Sequence, residues 1–175
     1  FSSGTMKDFT IDIHLELLSS LLSQDYKFIP YAVLHSDPPP ENVKSVTLRH
    51  DVDDRKENSR AFAEIQHARG IRGTYYFRVI PASYDEGIIK EIYAMGHEIG
   101  YHYETMDTCR GNIDLAYEEF CRNLEKFRKL VPVTTICMHG SPLSKFDNRD
   151  IWKKYDYRAL GIVADGGVAD EEIDA

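Results

Sequence analysis

Apolar positions recur every three to four residues over 11–22 and follow Thr10, whose side chain suits a helix N-cap. This pattern predicts an N-terminal helix. A short extended segment is predicted over 26–34. The consecutive prolines at 38–40 exclude both a helix and a central strand, so we expect a stiff connector there.

Strand and helix patterns alternate beyond this connector, so we divide the chain into an N-terminal helix with a Pro-rich connector (1–40) and one domain (41–175). Strands are predicted over 45–50, 74–80, 97–103, 133–138 and 157–163, and helices over 54–69, 85–95, 112–130 and 147–155. Such alternation indicates an α/β fold with a parallel sheet and right-handed crossovers, either doubly wound or closed into a barrel. In both architectures the carboxyl ends of the strands form the rim on which functional side chains gather.

Three aspartates follow the first strand of the predicted domain. If the strand continues, its two-residue period places Asp51 and Asp53 on the same side. This spacing suits one metal ligand and one general base, because a nearby dication keeps both carboxylates ionised and polarises a water between them. The alternative is an acidic turn that caps the following helix, and we predict that Asp54 is that cap.

Two further strand ends carry residues of the metal-ligand type. His102 and Glu104 end the strand at 97–103, and His139 follows the strand at 133–138. His102 is the best single candidate because imidazole suits zinc and related transition metals. His139, before a turn predicted at 140–142, is interpreted as a third ligand, a substrate contact or a proton donor, with a structural loop histidine as the alternative.

Composition and missing motifs exclude several classes of function. The net charge of −8 and the lack of a dense basic cluster disfavour nucleic acid as a partner. Charged residues interrupt every apolar stretch before it reaches the ~20 residues of a membrane span. Three cysteines without metal-ligand spacing favour a reducing, cytoplasmic location. The motifs of serine hydrolases and of nucleotide-binding loops do not occur.

Three segments, in this order, resemble the polysaccharide deacetylase (NodB-homology) family. They are Arg-His-Asp-Val-Asp at 49–53, Gly-Thr-Tyr-Tyr-Phe at 73–77 and Gly-His-Glu-Ile-Gly-Tyr-His at 96–102. The first looks like the divergent Arg-His-Asp-Val-Asp branch of the family. The resemblance implies an irregular, TIM-like (β/α) barrel in which one aspartate acts as base and an Asp-His-His triad binds the metal, to remove N-acetyl groups from sugars.

The resemblance assigns a role to the residues of the first motif. Asp51 matches the catalytic base, whereas the position of the metal-binding aspartate holds Val52, so Asp53 would reach the metal from one residue later. The family's later catalytic histidine, a proton donor to the leaving amine, has no counterpart before residue 175. Because the family has seven or more strands where the sequence predicts about five, we expect the barrel to be incomplete at its C-terminus.

The second family motif contains two metal-binding histidines. His102 matches the first, the second falls on Met106, and Glu104 or His139 would replace it. Methionine is a poor ligand for a hard or borderline dication.

We therefore predict a metal-dependent hydrolase that cleaves a non-peptide C–N bond and removes N-acetyl groups from a carbohydrate. The predicted metal ligands are Asp53, His102 and Glu104, and the predicted catalytic residues are Asp51 and His139. The expected cofactor is a divalent metal, zinc in the first place, with Mn, Co or Ni as alternatives. Another N-acylated small molecule is the alternative substrate. A non-catalytic carbohydrate-binding or scaffold domain that has lost part of the catalytic site is the alternative function.

Overall fold

The computed structural model describes residues 10–141 and 143–167, so residues 1–9 of the predicted N-terminal unit, Pro142 of the predicted turn and residues 168–175 lie outside the described residues. The strands are β1 (Lys27–Phe28), β2 (Ser45–Val46), β3 (Arg49–Val52), β4 (Thr74–Phe77), β5 (Glu98–Tyr103), β6 (Thr135–Met138) and β7 (Ala164–Asp165). The α-helices are α1 (Ile11–Ser23), α2 (Tyr31–Ser36), α3 (Lys56–His67), α4 (Glu86–Ala94), α5 (Thr105–Thr108) and α6 (Ile113–Arg128). Two 3-10 helices span Asn148–Lys153 and Tyr157–Leu160. None of the helices in the described residues is long and apolar enough to cross a membrane.

Strands β3 to β7 form one parallel sheet in the order of the chain, and β1 pairs separately with β2, also in parallel. Helices α3 and α4, then α5 with α6, connect consecutive strands from β3 to β6. The prediction of an α/β fold with a parallel sheet is therefore confirmed. Closure of this sheet into a barrel stays a prediction.

The five-stranded sheet curls strongly. Arg49 lies on the first edge strand, and its Nη1 donates to the carbonyl oxygen of Gly166, directly after the opposite edge strand, at 3.0 Å. In a flat sheet these two edges would lie roughly 19 Å apart, because neighbouring strands are about 4.8 Å apart. The curled sheet therefore has a narrow concave face, and Arg49 spans it.

The two faces of the sheet differ in polarity, as the alternation of side chains along a strand requires. Aromatic and aliphatic side chains on the convex face pack against α3, α4 and α6 in one hydrophobic core, which includes Tyr75, Phe77, Ile99, Tyr101, Ala63, Ile89, Phe120 and Phe127. The concave face carries polar side chains instead, among them Arg49, Asp51, Tyr76, Glu98 and His102. The polar and ionisable side chains of the sheet therefore lie mainly on the concave face and its rim.

Three predicted strands differ from the observed elements. The segment 26–34 is extended only at β1, because Pro30 is the N-cap residue of helix α2, which begins at Tyr31. The single strand predicted over 45–50 is two strands, β2 and β3, which belong to different sheets. The strand predicted over 157–163 is wrong, since a 3-10 helix ends there at Gly161 with a φ of 71° and the strand follows only at β7.

The N-cap predicted at Asp54 is also wrong. The cap position of α3 is Arg55, in a left-handed conformation with a φ of 48°, and no side chain caps this helix. Because the helix starts later than predicted, residues 53–55 form a short loop at the carboxyl end of β3. This loop carries Asp53 to the rim of the sheet.

The N-terminal segment contacts the sheet directly. The backbone N–H of Tyr31 donates to Thr74 Oγ1 at 2.9 Å, and that of Ala32 donates to Glu98 Oε2 at 2.8 Å. Together with the pairing of β1 and β2, these bonds hold the start of α2 at the amino ends of β4 and β5. The boundary at residue 40 itself stays a prediction.

Candidate metal centre

Three side chains from three different strand ends meet at the carboxyl rim of the sheet. Asp53 follows β3, His102 belongs to β5, and His139 follows β6. Asp53 Oδ1 lies 3.5 Å from His102 Nε2 and 3.1 Å from His139 Nδ1. The two histidine nitrogens are 3.2 Å apart.

This triangle fits the coordination of a small divalent ion. Ligand atoms about 2.0 to 2.1 Å from a tetrahedral ion lie about 3.3 to 3.4 Å from one another, close to the three observed distances. The side chains of His102 and His139 are only 3% and 16% exposed, whereas that of Asp53 is 51% exposed. The donor set, one carboxylate and two imidazoles, suits zinc and related ions and is open to solvent on the side of Asp53.

The orientation of His102 is set by the neighbouring strand. Its Nδ1 lies 3.0 Å from the carbonyl oxygen of Cys137, and because a carbonyl only accepts, Nδ1 carries the proton. The lone pair of Nε2 then points towards Asp53 and His139. Burial also lowers the pKa of His102 and so favours the neutral, ligating form of the ring. A histidine ligand held by a second hydrogen bond of this kind is typical of metal sites.

Asp51 lies beside this triangle and is bound to Arg49. The guanidinium donates to both carboxylate oxygens, at 2.8 and 2.6 Å, and it is held in turn by Gly166 and above the ring of Tyr76. Burial alone would raise the pKa of Asp51, but the hydrogen bonds from Arg49, with the charges of His102, Arg49 and His139, outweigh it and lower the pKa. Asp51 is therefore an ionised carboxylate with a fixed orientation, close to a ring nitrogen of His102.

Glu104 is engaged elsewhere. Arg78 Nη2 donates to its Oε2 at 2.6 Å and Arg78 Nε to its Oε1 at 3.3 Å, so both carboxylate oxygens of Glu104 have a partner. Arg78 also lies 3.9 Å from Asp53 Oδ1. The structure thus brings Asp53, His102 and His139 together, with Asp51 adjacent, and places Glu104 in an ion pair beside them.

Met106 stands where the resemblance expects a second metal-binding histidine. It is 3% exposed and packs in the hydrophobic core below the rim. The position therefore contributes packing, and the second imidazole of the triangle comes from His139 on another strand end.

The sequence interpretation assigned no role to Arg49 or Arg78. A signal existed for Arg49, since the two-residue period of a strand places it on the same side as Asp51. Arg78 gave a weaker signal, a basic residue directly after the end of β4. Both arginines hold the carboxylates of the site in place.

A cavity of about 450 Å³ opens beside the triangle. His139 forms part of its wall, together with Arg78, Glu104, Asp107, Ser141, Leu143, Ser144, Lys145 and Phe146. Its volume lies within the range of small-molecule sites. The cavity therefore offers room for a ligand next to the ring of His139.

Comparison with known proteins supports the fold. No protein-family model matches the sequence, and no curated protein matches it. By structure, the chain is similar to a Streptococcus pyogenes deacetylase, PplD, solved in complex with acetate, with a TM-score of 0.65 at 14% sequence identity. The superposition covers 94% of this chain and 84% of that one, so the two proteins share an α/β fold.

Proposed function

We propose that this protein is a metal-dependent hydrolase that removes acetyl groups from an N-acetylated small molecule, in the first place a carbohydrate. The observation that carries the proposal is the triangle of Asp53, His102 and His139, with an ionised carboxylate beside it. The structurally similar protein is a deacetylase bound to acetate, and acetate is the product that such a reaction releases. The motif resemblance to polysaccharide deacetylases points to the same chemistry.

Asp53, His102 and His139 would hold a divalent ion, zinc most readily, with Mn, Co or Ni as alternatives. When bound, such an ion supplies Lewis-acid chemistry, which polarises the amide carbonyl and stabilises the negative charge that develops on its oxygen. His139 replaces Glu104 as the third ligand in this proposal, because its Nδ1 lies 3.1 Å from Asp53 Oδ1 and 3.2 Å from His102 Nε2, whereas Glu104 is paired with Arg78.

Asp51 is the general base of the proposed reaction. It takes a proton from the water whose oxygen forms a bond to the amide carbon, and the C–N bond then breaks. The proton is passed on to the leaving nitrogen, which gives acetate and a free amine. Arg49 keeps Asp51 ionised and holds its carboxylate in one orientation, since it binds both oxygens at once.

The substrate would enter through the cavity next to His139. The cavity wall combines charged side chains with the exposed Leu143 and Phe146, which are 93% and 39% exposed. Such a mixed surface suits a polar ligand with an apolar ring face or acyl group.

The proposal is tested with the metal-free protein, which is loaded with Zn²⁺ and given oligosaccharides of N-acetylglucosamine. We expect Zn²⁺ to bind and acetate to be released. The variant Asp51→Asn should keep the metal and lose turnover by about 10²- to 10⁴-fold, the usual contribution of a general base. Asp54→Asn, which changes a neighbouring exposed carboxylate outside the triangle, should behave like the wild type.

A folded protein that binds no divalent metal above background in equilibrium dialysis would overturn the proposal. Metal binding without turnover of any N-acyl substrate would instead favour a non-catalytic carbohydrate-binding domain. Turnover of a non-sugar N-acyl compound alone would keep the mechanism and change the substrate.

A further inference from the structure

A second group of ligand atoms lies directly beside the triangle. A carboxylate oxygen of Asp51, a ring nitrogen of His102 and the Sγ of Cys137 all lie within 4.8 Å of one another. His102 and Cys137 are opposite each other in the register of β5 and β6, and Asp51 reaches them from β3 across the concave face. The curl of the sheet therefore creates this group, which no sequence spacing reveals.

The two groups differ in chemical softness. The triangle of Asp53, His102 and His139 offers oxygen and nitrogen only, whereas the second group adds sulfur. Thiolate is a softer ligand than imidazole or carboxylate, so the second group favours a softer ion than the triangle does. We propose that Asp51, His102 and Cys137 form a separate site for a thiophilic metal ion such as Cd²⁺, and that this ion excludes the ion of the triangle.

The exclusion follows from the shared histidine. Because Nδ1 of His102 is bound to the carbonyl of Cys137, both groups depend on Nε2 of the same ring. One imidazole nitrogen binds one ion, so occupation of one site empties the other. A soft ion would also bind the carboxylate of Asp51, the base of the proposed reaction. It would therefore block hydrolysis in two ways, by excluding the ion of the triangle and by binding the base.

The sulfur of this group is buried and its carboxylate is partly exposed. Cys137 is 1% exposed, whereas the side chain of Asp51 is 32% exposed. On binding, the thiol of Cys137 releases its proton to solvent and the sulfur forms a bond to the ion, as in other thiolate sites. Burial raises the pKa of the Cys137 thiol to about 12, and the guanidinium of Arg49, which lies next to both Asp51 and Cys137, opposes this shift.

The probe is Cd²⁺ alone, added to the metal-free full chain, and the readout is the ultraviolet charge-transfer band between thiolate and cadmium. We expect a band that saturates at one ion per chain. It should disappear in Cys137→Ser and persist in Cys121→Ser, a matched change of a cysteine on α6 outside the site. A band of unchanged intensity in Cys137→Ser would overturn the inference, as would its absence from the wild type.

A second measurement needs no variant and protects the test against a misfolded Cys137→Ser. X-ray absorption at the cadmium edge of the wild-type protein should show one sulfur neighbour together with oxygen or nitrogen. A coordination sphere without sulfur would contradict the proposed site. If the protein releases acetate with Zn²⁺ but shows no cadmium–sulfur contact, only this inference is contradicted. If it shows a cadmium–sulfur contact but releases no acetate, only the proposed function is contradicted.

Discussion

At the scale of single residues, His139 and Glu104 compete for the role of third metal ligand. The ring of His139 lies 3.1 Å from Asp53 Oδ1, whereas Glu104 is paired with Arg78. Partners outside the coordination sphere usually contribute 10- to 100-fold to metal affinity, so His139→Asn should weaken Zn²⁺ binding by at least about 100-fold. Glu104→Gln should fall at the lower end of that range, about tenfold, because Glu104 is paired with Arg78 rather than with a metal ligand.

Competitive titration against a chromophoric chelator measures both affinities. The decisive result is which of the two variants loses more affinity for Zn²⁺. If Glu104→Gln loses more affinity than His139→Asn, the third ligand is Glu104 and the ion pair with Arg78 must break when metal binds.

Arg49 gives a second prediction at this scale. It holds the pKa of Asp51 below its ordinary value, so Arg49→Met should raise that pKa. A higher pKa means that the base is protonated over a wider acidic range, and the acidic limb of the kcat/KM profile should move to higher pH. At neutral pH we expect a loss of about tenfold to 100-fold, less than the loss of the base itself.

The pH profile separates this role from a purely structural one. Arg49→Lys keeps the charge but not the two parallel hydrogen bonds. Its acidic limb should therefore lie near the wild-type pH, while its rate stays below the wild-type rate. Arg60→Met, on the exposed face of α3, is the matched control. An acidic limb at the same pH in Arg49→Met and wild type would show that Arg49 does not act on Asp51.

The sequence predicted part of this arrangement. The two-residue period placed Arg49 and Asp51 on one side of β3, and they are bonded there. Asp53 lies beyond the end of β3, so its position depends on the loop rather than on the period. The choice between Glu104 and His139 could not be predicted, because the partner of Glu104 is 26 residues away in the chain and only the fold brings it near.

At the scale of elements, the contact between β4 and β5 depends on a glycine. A Cβ at Gly100 would lie 2.2 Å from the ring of Tyr76, whose hydroxyl donates to Thr135 at 3.1 Å and whose ring lies below Arg49. Gly100→Ala should therefore displace this ring and cost about 1 to 3 kcal/mol, as overpacking of a core usually does. Urea unfolding measures the loss.

Gly87→Ala is the control for this substitution. Gly87 lies in the first turn of α4, and a Cβ there would meet only the Asp85 carboxylate, at 3.3 Å. The gain in helix propensity should offset most of that contact. Equal stability of Gly100→Ala and wild type would mean that Tyr76 can move aside without loss.

Elements determined by neighbouring residues in the sequence were predicted well. Elements determined by contacts with distant parts of the chain were not. The apolar period located α6 within two residues at each end, and Asn112 is its N-cap. The break between β2 and β3 had no local signal, because it arises where the chain leaves one sheet for another. The same holds for β7, a two-residue strand that exists only because β6 offers an edge.

At the scale of the whole molecule, the alternation of strands and helices was sufficient to predict a parallel α/β fold. The alternation alone left a doubly wound sheet and a barrel open, because the link between the edges of the curled sheet joins residues 117 positions apart. This curl brings Asp51 from β3 close to Cys137 on β6. The candidate site thus depends on the curl of the sheet rather than on any single motif.

The stability of the whole fold should depend on pH through His50, a half-buried histidine on the convex face. His50 is stacked on Tyr75 with ring centroids 4.4 Å apart and lies 2.7 Å from Gln66 Nε2. Burial, with smaller effects from the charges of His14 and His97, lowers the pKa of His50 to about 4. Its ordinary pKa is about 6.5, so between these two values the unfolded chain binds more protons than the folded one.

The contribution of His50 to the free energy of unfolding should therefore be fully present above about pH 6.5. It should fall as the pH drops from there to about 4 and level off below that value. The slope from this group is at most about 1.4 kcal/mol per pH unit. Urea midpoints of wild type and His50→Gln across this range isolate the effect. Asp165, whose pKa burial raises, acts with the opposite sign in both proteins and cancels in the comparison. His67→Gln, an exposed position on α3, controls for the substitution itself. Parallel pH curves for wild type and His50→Gln would mean that His50 is not held neutral by the fold.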